Sequence, residues 1–341
     1  LFLPAFRSYL PNTDKNDRQK RFSVKLAQPS IVLLHVLSAQ GINFANIQGS
    51  RRSPFRPDGN TPGGHKPHNG RYGQETNNTK NFQNMETNLS YDMYVPTRVM
   101  FGAGMLNKLS EQPMPGKRAM IVISNGKSTR ANGYLSRTEE QLHKAGVETS
   151  VFDGVMPNPT VDNVNAGAAM ARESGCDFLV ALGGGSVMDC TKGIALMATN
   201  EGELWDYVPV GSGKGKPITV KPLPIIAITT TAGTGSETDN SGVITKENTF
   251  EKAFIGDALL FPALSIVDPE LMATMPPAFT AYQGFDALFH STEGYIARGA
   301  NLMSDMYALT AIENIAKYLP RAVKDGNDME ARTHVAWGNT L

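Results

Sequence analysis

The sequence predicts a doubly wound α/β fold, a parallel sheet with helices on both faces, followed by a segment that is entirely helical. Between residues 119 and 229, apolar runs alternate with amphipathic stretches. The apolar runs are continuous, as expected of strands that are covered on both faces. Strand signals disappear after residue 275, where helical patterns begin. We therefore expect an α/β domain over residues 90–275 and the start of a helical domain over residues 276–341.

The same patterns predict the individual elements in chain order. YVPTRVMFGAGMLNKL, which starts at Tyr94, is typical of a strand, a glycine turn and the start of a helix. Strands and helices are then expected in turn. The predicted strands are 119–124, 148–152, 178–182 and 224–229, and the predicted helices are 134–145, 161–174, 186–199, 278–298, 301–318 and one from 331 onward.

Charge is distributed unevenly along the chain. Residues 1–84 hold 12 Lys and Arg against 4 Asp and Glu, whereas residues 85–341 hold 20 against 28. An acidic body argues against a nucleic-acid surface, which needs clustered Lys and Arg. Residues 1–84 lack both helical and strand periodicity. They predict a disordered or non-native basic head, with a targeting leader or a genuine extension as alternatives.

The cysteine content indicates the compartment. Only Cys176 and Cys190 occur, and their spacing fits neither a disulfide framework nor a structural zinc site. A reducing compartment fits, and we expect the cytoplasm. The longest apolar run near the start, residues 31–37, is far shorter than the roughly 20 residues of a membrane span. We expect no membrane partner.

A glycine-rich loop follows one predicted strand in FLVALGGGSVMDCTKGIALMAT. Gly184 and Gly185 would let backbone amides approach a ligand, and the helix that Ser186 opens would favour an anion at its N-terminus. The loop therefore predicts a pyrophosphate site. Ser186 and Asp189 also have capping-box spacing, which is a purely structural alternative. The loop does not match the GxGxxG dinucleotide-binding pattern, so the choice between the two interpretations depends on sequence outside the loop.

A hydroxyl-rich loop, ITTTAGTGSET, follows another predicted strand. Thr230, Thr231 and Thr234 suit a second phosphate or a carboxamide, although such loops also occur as ordinary turns. Open α/β sheets bind ligands at the carboxyl ends of their strands. The two loops together therefore favour a nucleotide site.

A third pattern, QGFDALFHSTEGY, lies on a predicted helix of the second segment. Asp286 and His290 are four residues apart, so their side chains project from one face. Such a pair is half of a divalent metal site, because metal sites generally need three or more protein ligands. A hydrogen-bonded surface couple is the alternative for an isolated pair.

These stretches, in this order, resemble the iron-containing alcohol dehydrogenase family from about residue 91 to residue 341. The resemblance also rests on YVPTRVMFGAG, FDGVMPNPT, VDPELMATMPP and GFDALFHSTEGY. It implies a Rossmann-like sheet domain followed by an all-helical domain, the dehydroquinate synthase-like architecture, with the active site in the cleft between them. It further implies hydride transfer between NAD or NADP and a small primary alcohol, diol or aldehyde.

The resemblance assigns site residues by position. Asp286 and His290 match two of four metal ligands, for Fe²⁺ or, in some relatives, Zn²⁺. No catalytic residue beyond the metal ligands is identified. The expected cofactor contacts are Gly126, Asn158, Gly184, Gly185, Ser186, Asp189, Thr230, Thr231, Thr234, Val243 and Lys252.

One departure from the family is that its other two metal ligands, histidines in a later helical stretch, have no match here. We expect a fragment with an incomplete helical domain that is inactive alone, and a homo-oligomer, a dimer, when complete. The alternatives are a glycerol dehydrogenase-like relative of the same architecture and a cofactor-binding remnant without catalysis.

The other departure is Gly126, in VISNGKSTRANG, where many NAD-preferring relatives carry an Asp. Without that carboxylate, and with Lys127 and Arg130 nearby, NADP(H) is expected to be tolerated.

Overall fold

A computed structural model describes residues 90–341, which belong to a compact unit spanning Met85–Leu341. The expected disordered head over residues 1–84 lies outside the described residues. No helix within 90–341 is long and apolar enough to cross a bilayer.

The described strands are β1 (Arg98–Phe101), β2 (Arg118–Ser124), β3 (Glu148–Val155), β4 (Phe178–Gly183), β5 (Ile225–Thr229), β6 (Ser241–Lys246), β7 (Glu251–Gly256) and β8 (Leu264–Val267). Six of them form one sheet in the order β1-β8-β5-β4-β2-β3, and every neighbouring pair is parallel. Strands β6 and β7 form a separate antiparallel hairpin.

Both faces of the parallel sheet are covered. Val180 and Leu182 of β4 belong to one hydrophobic core, whereas Leu179 and Ala181 of the same strand belong to another. Successive residues of a strand point to opposite faces, so two cores on one strand mean helices on each side. The prediction of a doubly wound parallel sheet is confirmed.

Helices flank the sheet and then form a group of their own. The helices of the sheet region are α1 (Ser128–Ala131), α2 (Tyr134–Lys144), α3 (Val161–Glu173) and α4 (Gly185–Thr199), and those that follow it are α5 (Pro277–Ile296), α6 (Leu302–Lys324) and α7 (Met329–Thr340). Helices α5, α6 and α7 pack around a third core that includes Ala287, Ile315 and Val335. Short 3-10 helices lie at Met105–Glu111, Leu204–Asp206, Glu247–Thr249, Ala258–Leu260 and Pro269–Met272.

The structure differs from the sequence prediction in several details. The β6–β7 hairpin and strand β8 were not predicted. Helix α6 continues to Lys324 through Pro320, beyond its predicted end at 318. Helix α4 begins at Gly185 with Gly184 as its N-cap, and no side chain caps it. The capping box of Ser186 and Asp189 was therefore wrong.

Candidate functional site

The two loops that follow β4 and β5 lie against each other. These strands are neighbours in register, with Gly183 opposite Thr229. The amide of Thr230 donates to the Gly183 carbonyl at 3.0 Å. Parallel pairing therefore brings the glycine loop and the threonine loop to one edge of the sheet.

Glycine is required at this junction. A Cβ on Gly184 would lie 2.8 Å from Thr231 Oγ1, and one on Gly185 would lie 2.5 Å from Thr234 Cγ2. Neither approach is open to a larger residue without a shift of the threonine loop. Backbone amides and threonine hydroxyls therefore line the surface that a ligand would meet, and they fit the phosphates of a dinucleotide.

The first turn of α4 leaves amides for such a ligand. Val187 and Met188 donate to the Gly184 carbonyl at 2.9 and 3.1 Å. The amides of Gly185 and Ser186 precede the first intrahelical donor, Val187, as at any helix N-terminus. The positive end of the helix dipole lies at the same place, so this turn suits an anion.

Asp189 joins three elements. Its Oδ1 accepts from Ser236 Oγ at 2.7 Å and its Oδ2 accepts from the Val243 amide at 3.0 Å. Burial raises the pKa of this carboxyl, partly offset by those two hydrogen bonds. Asp189 therefore fixes the threonine loop and β6 to α4, and its direct contact with a cofactor stays a prediction.

Lys192 was not anticipated from the sequence. Its side chain is 1% exposed. The ammonium donates to the Ser236 carbonyl at 2.8 Å, to Ser236 Oγ at 2.9 Å and to the Ser241 carbonyl at 2.7 Å, and it also pairs with Asp239. One signal was available, because Lys192 is the only charged residue between Asp189 and Thr199 in an otherwise apolar helix.

Asn158 and Lys252, both predicted cofactor contacts, are close together although they are far apart in sequence. Lys252 Nζ donates to Asn158 Oδ1 at 2.8 Å. Asn158 has a φ of 55°, a left-handed conformation that Asn tolerates better than most residues. The amide of Thr245 donates to the Pro159 carbonyl at 2.8 Å, so the β6–β7 hairpin is docked on this turn.

Gly126 lies apart from the two loops, after β2. It lines an open depression of about 380 Å³ together with Ser124, Asn125, Lys127, Arg130, Ala131 and Asp153. Arg130 Nη2 and Asp153 Oδ2 are 2.8 Å apart there. The sequence pattern pointed to Gly126 and to the cations, but it did not reveal the carboxylate.

Helix α5 contacts the threonine loop one turn before its predicted metal ligands. A Cβ on Gly233 would overlap the side-chain oxygen of Gln283, so this glycine permits the contact. Asp286 follows Gln283 by three residues and therefore lies on the same side of the helix. This contact brings the predicted metal ligands close to the glycine and threonine loops.

The Asp286–His290 pair has a geometry that allows it to bind one ion. Asp286 Oδ1 and His290 Nε2 are 3.9 Å apart, so a small rotation of either side chain would bring both atoms to the bonding distance of one ion, about 2.1 Å. Within residues 90–341, no group of three or more His, Cys, Asp or Glu side chains could hold a metal. The pair thus fits half of a site.

His334 is engaged elsewhere. Its Nδ1 lies 2.7 Å from Asn314 Oδ1. Its ring stacks on Tyr318 with a centroid separation of 3.8 Å. His334 is therefore held between α6 and α7 by its contacts with Asn314 and Tyr318.

Helix α7 completes the far side of the threonine loop. The Gly235 amide donates to Asn339 Oδ1 at 3.0 Å, and Asn339 Nδ2 donates to Glu237 Oε1 at 2.8 Å. Thr340 Oγ1 donates to the same oxygen at 3.1 Å. Complete burial raises the pKa of Glu237 to about 7. No short motif contains both Glu237 and Asn339, so the sequence did not reveal this contact.

Comparisons with known proteins agree with the arrangement. The family model described as iron-containing alcohol dehydrogenase matches residues 96–269, and its C-terminal counterpart matches residues 280–341. Alcohol dehydrogenase 4 of Schizosaccharomyces pombe is 40% identical over 73% of this chain and 58% of its own length.

Two solved structures show the same similarity. The alcohol dehydrogenase of an archaeal halo-thermophile from a Red Sea brine pool has a TM-score of 0.71 and 40% identity, over 74% of this chain and 64% of its own. Sulfoacetaldehyde reductase of Bifidobacterium kashiwanohense, solved with NAD⁺, has a TM-score of 0.67 and 34% identity, over 74% of this chain and 65% of its own. This chain thus spans roughly three fifths of the length of the proteins it matches.

Proposed function

The chain belongs to the iron-containing alcohol dehydrogenase family, and from that membership we propose that the whole protein is a metal-dependent, NAD(P)-linked alcohol dehydrogenase or aldehyde reductase. Its substrates would be small primary alcohols, diols and their aldehydes. Its domains would be a nucleotide-binding α/β domain over residues 90–275 and a helical domain that includes 276–341. The named relatives act on an alcohol and on an aldehyde, which supports both directions of the reaction.

One observation carries the proposal, the junction of the glycine and threonine loops beside helix α5. Gly184 and Gly185 lie so close to Thr231 and Thr234 that a Cβ does not fit between the two loops. The amides of Gly185 and Ser186 would bind the pyrophosphate, and the threonine hydroxyls would orient the ribose and carboxamide on the nicotinamide side.

The remaining predicted residues extend this surface. Asn158 and Lys252 would contact the cofactor from the hairpin side, together with Val243. Asp286 and His290 would hold the cation, Fe²⁺ or Zn²⁺, on the adjacent helix. When both groups are bound, nicotinamide supplies the hydride carrier and the cation supplies a Lewis acid for the substrate oxygen. The chain's own task is to position these groups and exclude water from between them.

The metal site needs ligands beyond Asp286 and His290, and we propose that they come from the part of the family's length that this chain does not span. On this proposal, this chain binds the nucleotide but does not catalyse the reaction by itself. We further propose a homodimer for the whole protein and a cytoplasmic location, the latter because Cys176 and Cys190 are both free thiols.

The experiment has two arms. NADH is titrated into this chain and binding is followed by nicotinamide fluorescence. Separately, a version extended over the family's full length is loaded with Fe²⁺ or Zn²⁺ and assayed for aldehyde-dependent loss of NADH absorbance. We expect binding in the first arm and turnover in the second, with turnover abolished by Asp286→Asn. Absence of NADH binding would overturn the proposal.

The second candidate, a nucleotide-binding remnant, is favoured only by the absence of a third metal ligand within residues 90–341. The same experiment separates the two. A full-length version that binds NADH and metal but never turns over any short aldehyde would support the remnant.

A further inference from the structure

The depression beside Gly126 is lined by the carboxylate of Asp153. The position of this depression relative to the glycine and threonine loops indicates which part of a dinucleotide it could hold. The glycine loop follows β4, which lies between β5 and β2 in the sheet. The threonine loop, after β5, is on one side of the glycine loop, and the ends of β2 and β3 are on the other. Helix α5 contacts the threonine loop, so the reactive end of a bound dinucleotide would extend toward β5. The adenosine end must then extend the opposite way, over the ends of β2 and β3.

Strand spacing places the depression at the correct distance. Neighbouring strands are about 4.8 Å apart, so the ends of β2 and β3 lie roughly 5 to 10 Å from the glycine loop. A nucleoside joined to a pyrophosphate on that loop would reach them. The depression of about 380 Å³ that Gly126 and Asp153 line would therefore lie on the adenosine side of a bound dinucleotide.

Asp153 reaches this depression through an irregularity in β3. Val122 pairs with Phe152 and Ser124 pairs with Val155, so two residues of β3 oppose one residue of β2. A bulge of this kind redirects side chains at the end of a strand. The Asp153 side chain is 60% exposed and faces Arg130, which is 50% exposed.

We propose that Asp153 is the carboxylate that accepts hydrogen bonds from the hydroxyls of the adenosine ribose and that it makes the site selective for NAD(H). This inference rests on the proposed nucleotide-binding function. A carboxylate suits a ribose diol, since it accepts two hydroxyl hydrogen bonds, and it repels a 2′-phosphate. The carboxylate that Gly126 lacks is thus supplied by the neighbouring strand.

Arg130 has a defined part in this arrangement. Its guanidinium is held by Asp153, so it does not present a free fork to a 2′-phosphate. An exposed ion pair of this kind is weak. Removing the Asp153 charge would therefore release Arg130 for a phosphate, and the two residues should act together in a mutant cycle.

The test measures NADH and NADPH affinities of this chain by fluorescence titration at fixed low salt. Wild type is expected to bind NADH more tightly. Asp153→Asn should shift the NADPH-to-NADH affinity ratio toward NADPH by about tenfold, the effect of one charge-assisted hydrogen bond. The double variant Asp153→Asn with Arg130→Ala should lose most of the gain in NADPH affinity.

Glu111→Gln is the matched control, because it removes one exposed carboxylate of a surface ion pair elsewhere on the chain. It should leave the ratio unchanged. Tighter NADPH binding by wild type, or an Asp153→Asn ratio equal to that of wild type, would overturn this inference and leave nucleotide binding intact. Failure of wild type to bind either nucleotide would overturn the proposed function and this inference together.

Discussion

The glycine and threonine loops are packed against one another, whereas the Asp286–His290 pair stands on a half-exposed helix face. Lys192, on helix α4 beneath the loops, and Glu237, in the threonine loop, are each 1% exposed. On α5, the side chains of His290 and Asp286 are 52% and 43% exposed. Large apolar side chains on the same helix are also exposed, among them Phe279, Tyr282, Phe289 and Ile296.

The difference shows which part of the predicted site has its shape fixed by contacts among the described residues. The glycine and threonine loops obtain their shape from strand pairing and from buried polar contacts within residues 90–341. The Asp286–His290 pair is positioned only by the helical spacing of its two side chains. A change in the loops should therefore affect stability and nucleotide binding, and a change in the pair should affect neither.

Lys192→Met is expected to have the largest effect. It would leave the Ser236 and Ser241 carbonyls without their charged donor, and each hydrogen bond lost to a charged group costs about 1.5–3 kcal/mol. Asp239, the other partner of Lys192, is 48% exposed and would be solvated. Urea unfolding would measure this loss. Lys108→Met is the control, since Lys108 pairs with Glu111 on the surface and should cost under about 1 kcal/mol. Equal losses for both variants would contradict the role given to the buried lysine.

Glu237 should make stability depend on pH. Its pKa in the folded chain, about 7, lies above its ordinary value of 4.5, so the folded state holds the proton more tightly than the unfolded state. The resulting stabilisation is fully present below pH 4.5 and is lost as the pH rises through 7. The loss amounts to at most about 3 kcal/mol.

The variant Glu237→Gln tests that dependence. Its side-chain oxygen can still accept from Asn339 and Thr340, but it does not titrate. The free energy of unfolding should therefore fall less from pH 5 to pH 8 in the variant than in wild type. Identical pH profiles would show that the buried carboxyl does not titrate in this range.

Gly185→Val should weaken NADH binding by roughly tenfold or more, because overpacking costs about 1–3 kcal/mol. The new side chain would meet Thr234 and separate the two loops. Gly294→Ala is the matched control, since nothing lies within 4 Å of a Cβ at that position of α5. Unchanged NADH affinity in Gly185→Val would mean that the loops do not form the binding surface.

His290→Ala should have the smallest effect, a change of under about 0.5 kcal/mol in the free energy of unfolding and none in NADH affinity. The imidazole is half exposed, and its partner Asp286 remains solvated. Chemical denaturation and NADH titration would check both. A loss above 1 kcal/mol would show that the pair contributes to packing in this chain, against the contrast drawn above.

Prediction from sequence succeeded where the information was local. Continuous apolar runs predicted β2, β4 and β5, and the glycine and threonine motifs predicted loops that meet. The spacing of Asp286 and His290 predicted a shared helix face. These conclusions need only periodicity and the rule that parallel strands end at the same edge.

The parts that were missed depend on contacts between distant segments. Glu237 and Asn339 are 102 residues apart, and Lys252 and Asn158 are 94 apart. The β6–β7 hairpin was missed because its turn, Glu247–Thr249 followed by Phe250 at a φ of 54°, lacks the Gly that usually marks such turns. Helix α6 runs past its predicted end and through Pro320, because tertiary packing of Leu319 and Ala322 outweighs the lost backbone bond.

The contact of Asn339 with the threonine loop has a consequence for engineering. The Asn339 carboxamide on α7 accepts from the Gly235 amide and donates to the Glu237 carboxyl. Polar groups of the threonine loop therefore depend on a side chain of the helical segment. A chimaera that replaced the helical segment with that of a relative would need an amide at the same place. Without it, the graft would leave the Gly235 amide without its acceptor and Glu237 without one of its donors, in the loop that is predicted to contact the cofactor.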